Sequence, residues 1–397
     1  MSRLEELIAK FCPDGVEYKK LGEIATISRG GNLQKKDFCL AGVPCIHYGQ
    51  IYTRYSLFAD KTFSFISEDC AKKQKMAYPN DIVMAVTSEN IEDVCKCVAW
   101  LGDGAVAVSG HTAIIHHSQN AKYLTYYFHT EMFAAQKRKL VHGTKVMEVT
   151  PDTLNTIIIP VPPLPVQSEI VNILDNFTEL TAELTAELTA RKKQYEYYRD
   201  KLLTFGVLGG RASECVWRTL GETCYLKAGK AISAHEISSE KTSIYSVPCF
   251  GGNGLRGYVR TPNQQGHKLL IGRQGALCGN VCYVTGDYYA TEHAVVVTDK
   301  GQFNSRFLYH LLVYEDLNQY KTAGAQPGLS VARLETITVP VPDMYIQNRI
   351  AHILDRFDAL CNDLTSGLPA EIAARQKQYE YYRDKLLTFK ELKENSD

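Results

Sequence analysis

One long block occurs twice in this chain. Arg191-Lys192-Lys193-Gln194-Tyr195-Glu196-Tyr197-Tyr198-Arg199-Asp200-Lys201-Leu202-Leu203-Thr204-Phe205 returns at residues 375–389 with a single change, Lys192 to Gln376. A repeat this close constrains the architecture before any local propensity is weighed, because a duplicated segment folds as a duplicated element. Upstream, Pro160-Val161-Pro162 returns as Pro340-Val341-Pro342, Gln167 as Gln347, and Ile173-Leu174-Asp175-Asn176-Phe177 as Ile353-Leu354-Asp355-Arg356-Phe357. A weaker echo opens each half: Tyr18-Lys19-Lys20-Leu21-Gly22-Glu23 matches Trp217-Arg218-Thr219-Leu220-Gly221-Glu222. Residues 24–156 and 223–336 share no run that aligns. The plan is variable, shared, variable, shared: one scaffold carrying two different globular parts.

The shared segments read as helices. Pro160 to Pro165 forms a stiff lead-in that cannot continue a helix. Beyond it the apolar residues Ile170, Ile173, Leu174, Phe177, Leu180, Leu184, Leu188, Tyr195, Tyr198, Leu202 and Phe205 advance in steps that keep them on one stripe. The second copy repeats the stripe from Ile350 to Phe389, with Gly367-Leu368-Pro369 predicting a kink or restart. A helix from Gln167 to Phe205 is about 55–60 Å long, more than a small domain needs for its own core. Two such rods bury their narrow stripes against each other as an antiparallel coiled coil. Inside the first rod, Thr181-Ala182-Glu183-Leu184 is followed by Thr185-Ala186-Glu187-Leu188, while the second spacer is four residues longer between Phe357 and Arg375. Each four-residue step adds about 6 Å of helix, so the repeat reads as a ruler or as simple repeat slippage.

The Pro-Val-Pro-Pro-Leu lead-in, Gln167, Ile173-Leu174-Asp175, the Gln-Tyr-Glu-Tyr-Tyr-Arg block, the tandem Thr-Ala-Glu-Leu units and the two-half layout together resemble the specificity (S) subunit of type I restriction-modification enzymes. The likeness covers the whole chain as architecture and is specific in the shared segments. It implies two target-recognition domains, each reading one half of a split DNA site, separated by two long antiparallel helical regions. Those regions recruit two modification subunits, methyltransferases that use S-adenosylmethionine to methylate adenines. Restriction subunits then join to translocate and cut double-stranded DNA. The subunit itself catalyses nothing and carries no cofactor; S-adenosylmethionine and ATP belong to its partners. The expected fold is α+β and pseudo-twofold: two mixed α/β target-recognition domains at residues 1–160 and 208–340, with helical spacers at 161–207 and 341–397.

Composition agrees with this reading and excludes others. With 45% hydrophobic and 22% charged residues, the chain of 397 residues is globular and long enough for two cores. No apolar run approaches the roughly 18 residues of a membrane span, and Met1-Ser2-Arg3-Leu4-Glu5-Glu6 lacks the character of a signal peptide, so no membrane and a cytoplasmic location are expected. The 12 cysteines are scattered without zinc-finger spacing, and no carboxylate or cysteine completes a site around Cys45-Ile46-His47 or His116-His117, so no metal is expected. A formal net charge of +0 requires that any phosphate contacts be clustered on one face or shared with more basic partners. No Asn/Asp-Pro-Pro-aromatic methylase motif occurs, and Gly229-Lys230 lacks the rest of a phosphate-binding loop.

Candidate DNA contacts follow from residue chemistry. In the first domain, Lys35, Lys36, Arg54, Lys73 and the Lys137-Arg138-Lys139 run are candidates for phosphate. Polar loops after strand-like runs add Ser88, Asn90 and His111, and the glycine loop before the Pro-Val-Pro lead-in adds Lys145. In the second domain the glycine-rich turns offer Asn253, Arg256, Arg273 and Gln274, and the corresponding loop before the lead-in offers Gln326. Arg grips guanine and Asn or Gln grips adenine, which suits base readout, although such turns also serve as ordinary hairpin connections. The repeated aromatic block is the candidate partner face: Tyr195, Tyr197, Tyr198 and Arg199 in one copy, Tyr379, Tyr381, Tyr382 and Arg383 in the other. The rival class is a duplicated protein adaptor that does not touch DNA.

Overall fold

The computed structural model describes residues 2–205, 215–275, 277–322, 327–363 and 365–392. It contains two compact units, Met1–Glu183 with Ile372–Asp397, and Leu184–Glu371. The division runs through the spacers, so each unit holds one variable segment together with part of both spacers.

In the first unit, Ile82–Ala85 and Cys97–Trp100 are buried throughout and lie inside a five-stranded sheet. Its order is Ala25–Arg29, Thr112–His117, Ile82–Ala85, Cys97–Trp100, Phe58–Ala59. Successive side chains on a strand point to opposite faces, so Ile82 and Met84 feed one core while Val83 and Ala85 feed another. A second sheet is built around the parallel pair Val43–Ile46 and Val106–Val108. The second unit repeats this plan: Cys224–Ala228, Ala294–Asp299, Lys268–Gly272, Val281–Val284 in one sheet, with the parallel pair Val247–Gly251 and Asp287–Ala290 in the other. Two segments with no alignable run therefore share a strand order.

The shared motifs hold each sheet to its spacer by the same bonds. Strand Tyr18–Lys20 pairs with Ile158–Pro160 and strand Cys215–Thr219 with Thr338–Pro342, Tyr18 facing Pro160 and Trp217 facing Pro340. Buried Gln167 accepts from the Asn120 N–H at 3.0 Å and donates to the Pro162 carbonyl at 2.8 Å. Buried Gln347 accepts from the Asn304 N–H at 2.7 Å and donates to the Pro342 carbonyl at 2.9 Å. Asn120 and Asn304 cap the helices Ala121–Tyr127 and Ser305–Tyr314. About two turns further, Asp175 receives Lys122 and the Tyr126 hydroxyl, while Asp355 receives Arg306 and His310.

The first spacer is a single helix, Leu164–Leu203. The second is two, Met344–Asn362 and Leu368–Leu386, with Pro369 in the first turn of the restart. Phe177 stacks on Tyr382 at 5.5 Å in the first unit, and Phe357 stacks on Tyr198 at 5.7 Å in the second. The beginning of each spacer thus meets the end of the other, the antiparallel pairing read from the stripes. Val166, Ile170, Leu174, Ile350 and Leu354 are buried, but Leu180 is exposed and Leu184 and Leu188 only half-buried, so the apolar stripe thins midway.

Candidate nucleic-acid interface and partner faces

In the first unit the strand ends converge on a cleft. Gly30 follows strand Ala25–Arg29 and gives its N–H to the Thr112 carbonyl, and a side chain there would collide with the Ser109 carbonyl at 2.1 Å. That contact brings the 29–35 loop against Ser109-Gly110-His111. Arg29 donates through Nε to the Gly110 carbonyl at 2.8 Å and pairs with Glu148 at 3.2 Å. The rings of His47 and Tyr48, and of Tyr48 and His111, lie 4.7 and 4.9 Å apart in a row along the wall. Burial and the nearby Lys35 charge lower the His47 pKa, which keeps its Nδ1 available to accept from the Gly49 N–H. Strand Thr87–Ser88 pairs with Met147–Glu148, which ties the 142–148 loop to the same end.

Of the residues predicted in this domain, Lys35 and His111 line the cleft together with Arg29, Gln34, His47 and Tyr48. Ser88 and the loop carrying Lys145 join it through the short strand pair. Lys36 is exposed in the same turn as Lys35, Lys73 is exposed after helix Glu68–Ala71, and Arg54 lies 5.6 Å over the Phe63 ring. Asn90 is engaged locally, bonding Asp93 through both ends of its amide. Lys137 departs from expectation. It is buried and donates to the carbonyls of Glu92 and Val94, so it caps backbone and does not face solvent.

The second unit has a cleft at the corresponding strand ends, with a different lining. Gly229 donates to the Ala294 carbonyl as Gly30 does to Thr112, Arg273 to the His293 carbonyl as Val86 does to His111, and Thr322 to Gly328 as His142 does to Glu148. Asn253, Arg256 and Gln274 line it with the turn residues Gly252 and Gly254 and with His293. Arg273 is half-buried beside it. Gln326 and its neighbours at 323–325 lie outside the described residues. Arg29, His47, Tyr48 and His293 were not among the predicted contacts. One signal for His293 was present: Ser109-Gly110-His111-Thr112 and Thr291-Glu292-His293-Ala294 each precede an apolar strand with histidine in the same place.

The repeated aromatic block splits into two faces. Tyr379 is buried and Tyr195 half-buried in their cores, and Tyr198 and Tyr382 stack on Phe357 and Phe177. Tyr195 and Tyr379 are thus taken up by the cores, which leaves them little surface for a partner, whereas Tyr198 and Tyr382 stack on the other spacer and stay 38% and 36% exposed. Tyr197 and Tyr381 remain outside, 60% and 62% exposed, with Lys201 and Lys385 over their rings at 5.7 and 5.8 Å. Arg199 and Arg383 each pair with the next residue, Asp200 and Asp384. The two faces repeat these contacts closely.

Two clefts of one plan and unequal lining, on one repeated frame, define a duplicated recognition scaffold. A family model described as the type I restriction modification DNA specificity domain matches residues 13–191 and again 213–374. The chain is similar to the type I restriction enzyme EcoprrI specificity subunit of Escherichia coli, 39% identical over 385 residues that cover 92% of each chain. It is also similar to the EcoR124I/EcoR124II specificity subunit of Escherichia coli, 32% identical over 259 residues, 57% of this chain and 60% of that one. Its fold is similar to that of a type I restriction-modification S subunit from M. genitalium, with a TM-score of 0.60 at 18% identity, covering 94% of this chain and 96% of that one. The chain belongs to the type I restriction-modification specificity family: a DNA-recognition subunit with two specificity domains and no catalysis of its own. No helix among the described residues is long and apolar enough to cross a membrane.

Proposed function

We propose that the chain directs a type I modification and restriction complex to a bipartite site on double-stranded DNA, each cleft reading one half. Lys35, Lys36, Arg54 and Lys73 supply phosphate contacts, while Ser88, His111 and Lys145 in one domain and Asn253, Arg256, Arg273, Gln274 and Gln326 in the other work at the groove. The observation that carries this reading is the pair of clefts at corresponding strand ends: matching backbone bonds fasten the ends, and different side chains line the clefts. A scaffold kept constant beneath variable lining is what a split, asymmetric target requires. Tyr197 with Lys201 and Tyr381 with Lys385 form two equal sockets, one for each of two methyltransferase subunits. Restriction subunits join that assembly in the cytoplasm. S-adenosylmethionine and ATP are held by the partners and not by this chain.

Salt dependence tests the reading. Binding of the purified complex to duplex DNA carrying its target should weaken roughly a thousandfold or more between 50 and 200 mM salt if six or more phosphates are neutralised. A flat response would favour the protein-adaptor reading instead.

A further inference from the structure

In each unit two neighbouring strands of the main sheet end at the cleft, and the residues facing each other just beyond the last paired rung differ. In the first unit they are Val86 and His111, with Gly110 before the histidine. Val86 is buried and apolar, Gly110 has no side chain, and His111 Nδ1 lies 3.2 Å from the Thr87 hydroxyl. In the second unit the same three positions hold Arg273, His293 and Glu292. Glu292 Oε1 lies 3.2 Å from His293 Nε2. The Glu292 and His293 side chains are 37% and 36% exposed, yet Arg273 Nε, Glu292 Oε2 and His293 Nδ1 are each out of solvent without a hydrogen-bond partner among the described residues. Seven side-chain atoms among the described residues are in that condition, and three of them belong to these neighbouring residues.

Buried donors and acceptors left unmatched are costly, so a group of them at a cleft marks a place where water or a ligand completes the bonding. Guanidinium and carboxylate are complementary to the two sides of one base pair: arginine donates to guanine O6 and N7, and a carboxylate accepts from cytosine N4. We propose that Arg273 and Glu292 are the specificity-determining pair of the second domain and read one guanine·cytosine pair in its half-site. The inference rests on the DNA-reading function proposed above. The first domain holds Val86 and Gly110 at these positions and makes no such contact, so the half-sites differ there.

The test uses the chain assembled with its methyltransferase partners. The wild-type complex and the variants R273Q and E292Q are compared in two ways: by genome-wide mapping of modified adenines, and by binding to duplexes in which each base pair of the mapped motif is changed singly. Both variants should lose about tenfold or more discrimination at one and the same guanine·cytosine pair, with the other half-site and the gap unchanged. E292Q is isosteric and reports even if R273Q fails to fold. Full discrimination by E292Q, or by a folded R273Q, at every pair would overturn the proposal. A wild-type complex that modifies no bipartite motif would overturn the DNA reading itself, and the proposal with it.

Discussion

At the scale of single residues, His117 shows how burial turns one side chain into a pH dependence. Its Nδ1 accepts from the Gln119 N–H at 3.1 Å, so Nε2 carries the proton of the neutral ring, and that nitrogen is buried without a partner. Burial lowers its pKa to about 4, with Asp81 opposing the shift. The unfolded chain, with an ordinary histidine pKa near 6.5, therefore takes up the proton first. The stabilisation is complete above about 6.5 and is lost as pH falls toward 4. Acidification from pH 7 to 4.5 should cost the first unit roughly 2 kcal/mol through this residue. In His117→Asn the amide oxygen replaces Nδ1 as acceptor, so its urea midpoints should fall less over that range than those of the wild type. Equal falls in both proteins would sink the assignment. From the sequence His116-His117 reads as structural and not as a metal site; that one ring is buried and the other is held by Asp81 depended on the sheet.

At the scale of elements, the spacers differ in how they accommodate length. The second is four residues longer between its phenylalanine and arginine, yet its helix stops at Asn362 and restarts at Leu368. The added residues go into a turn and not into extra helix. Asp363 organises it by accepting from the hydroxyls of Thr365 and Ser366, and a side chain at Gly367 would come within 2.6 Å of the Ala359 carbonyl. Gly-Leu-Pro predicted this interruption, because a proline is tolerated in the first turn of a helix and not in its interior. The Thr-Ala-Glu-Leu units, by contrast, lie inside an unbroken helix. Deleting Thr185 to Leu188 should therefore shorten that rod by about 6 Å and contract the gap in the modified motif by one to two base pairs. Mapping methylated adenines in cells carrying the deletion checks it, and an unchanged gap would remove the ruler from the account.

At the scale of the whole molecule, the duplication leads to a prediction about stoichiometry. The faces around Tyr197 and Tyr381 have the same residues, exposure and cation–ring geometry, so each should dock one methyltransferase subunit with equal strength. Tyr197→Ala or Tyr381→Ala should lower the partner count from two to one, and the double variant to none, in native mass spectrometry of the assembled complex. Truncating an exposed aromatic anchor typically costs about 2 kcal/mol or more of binding. Two partners retained by the double variant would place the sockets elsewhere. Membership of the specificity family, the two-half layout and the helical spacers were legible in the sequence, since a near-identical block and its apolar stripe depend on local order alone. Gln167 and Asp175 with their later counterparts were visible as echoes, but not as the clamps they form. The common strand order of the two variable segments was not legible, because a sheet specifies the alternation of its faces and the bonding of its backbone, and many unrelated side chains satisfy both. The spacing did show Tyr195 and Tyr198 on the apolar stripe with Tyr197 to one side, but not which neighbours the stripe meets. The sequence by itself determined a doubled frame with two unlike readers. Only the tertiary structure decided which polar side chains reach the clefts, because that depends on strand ends brought together from residues far apart in the chain.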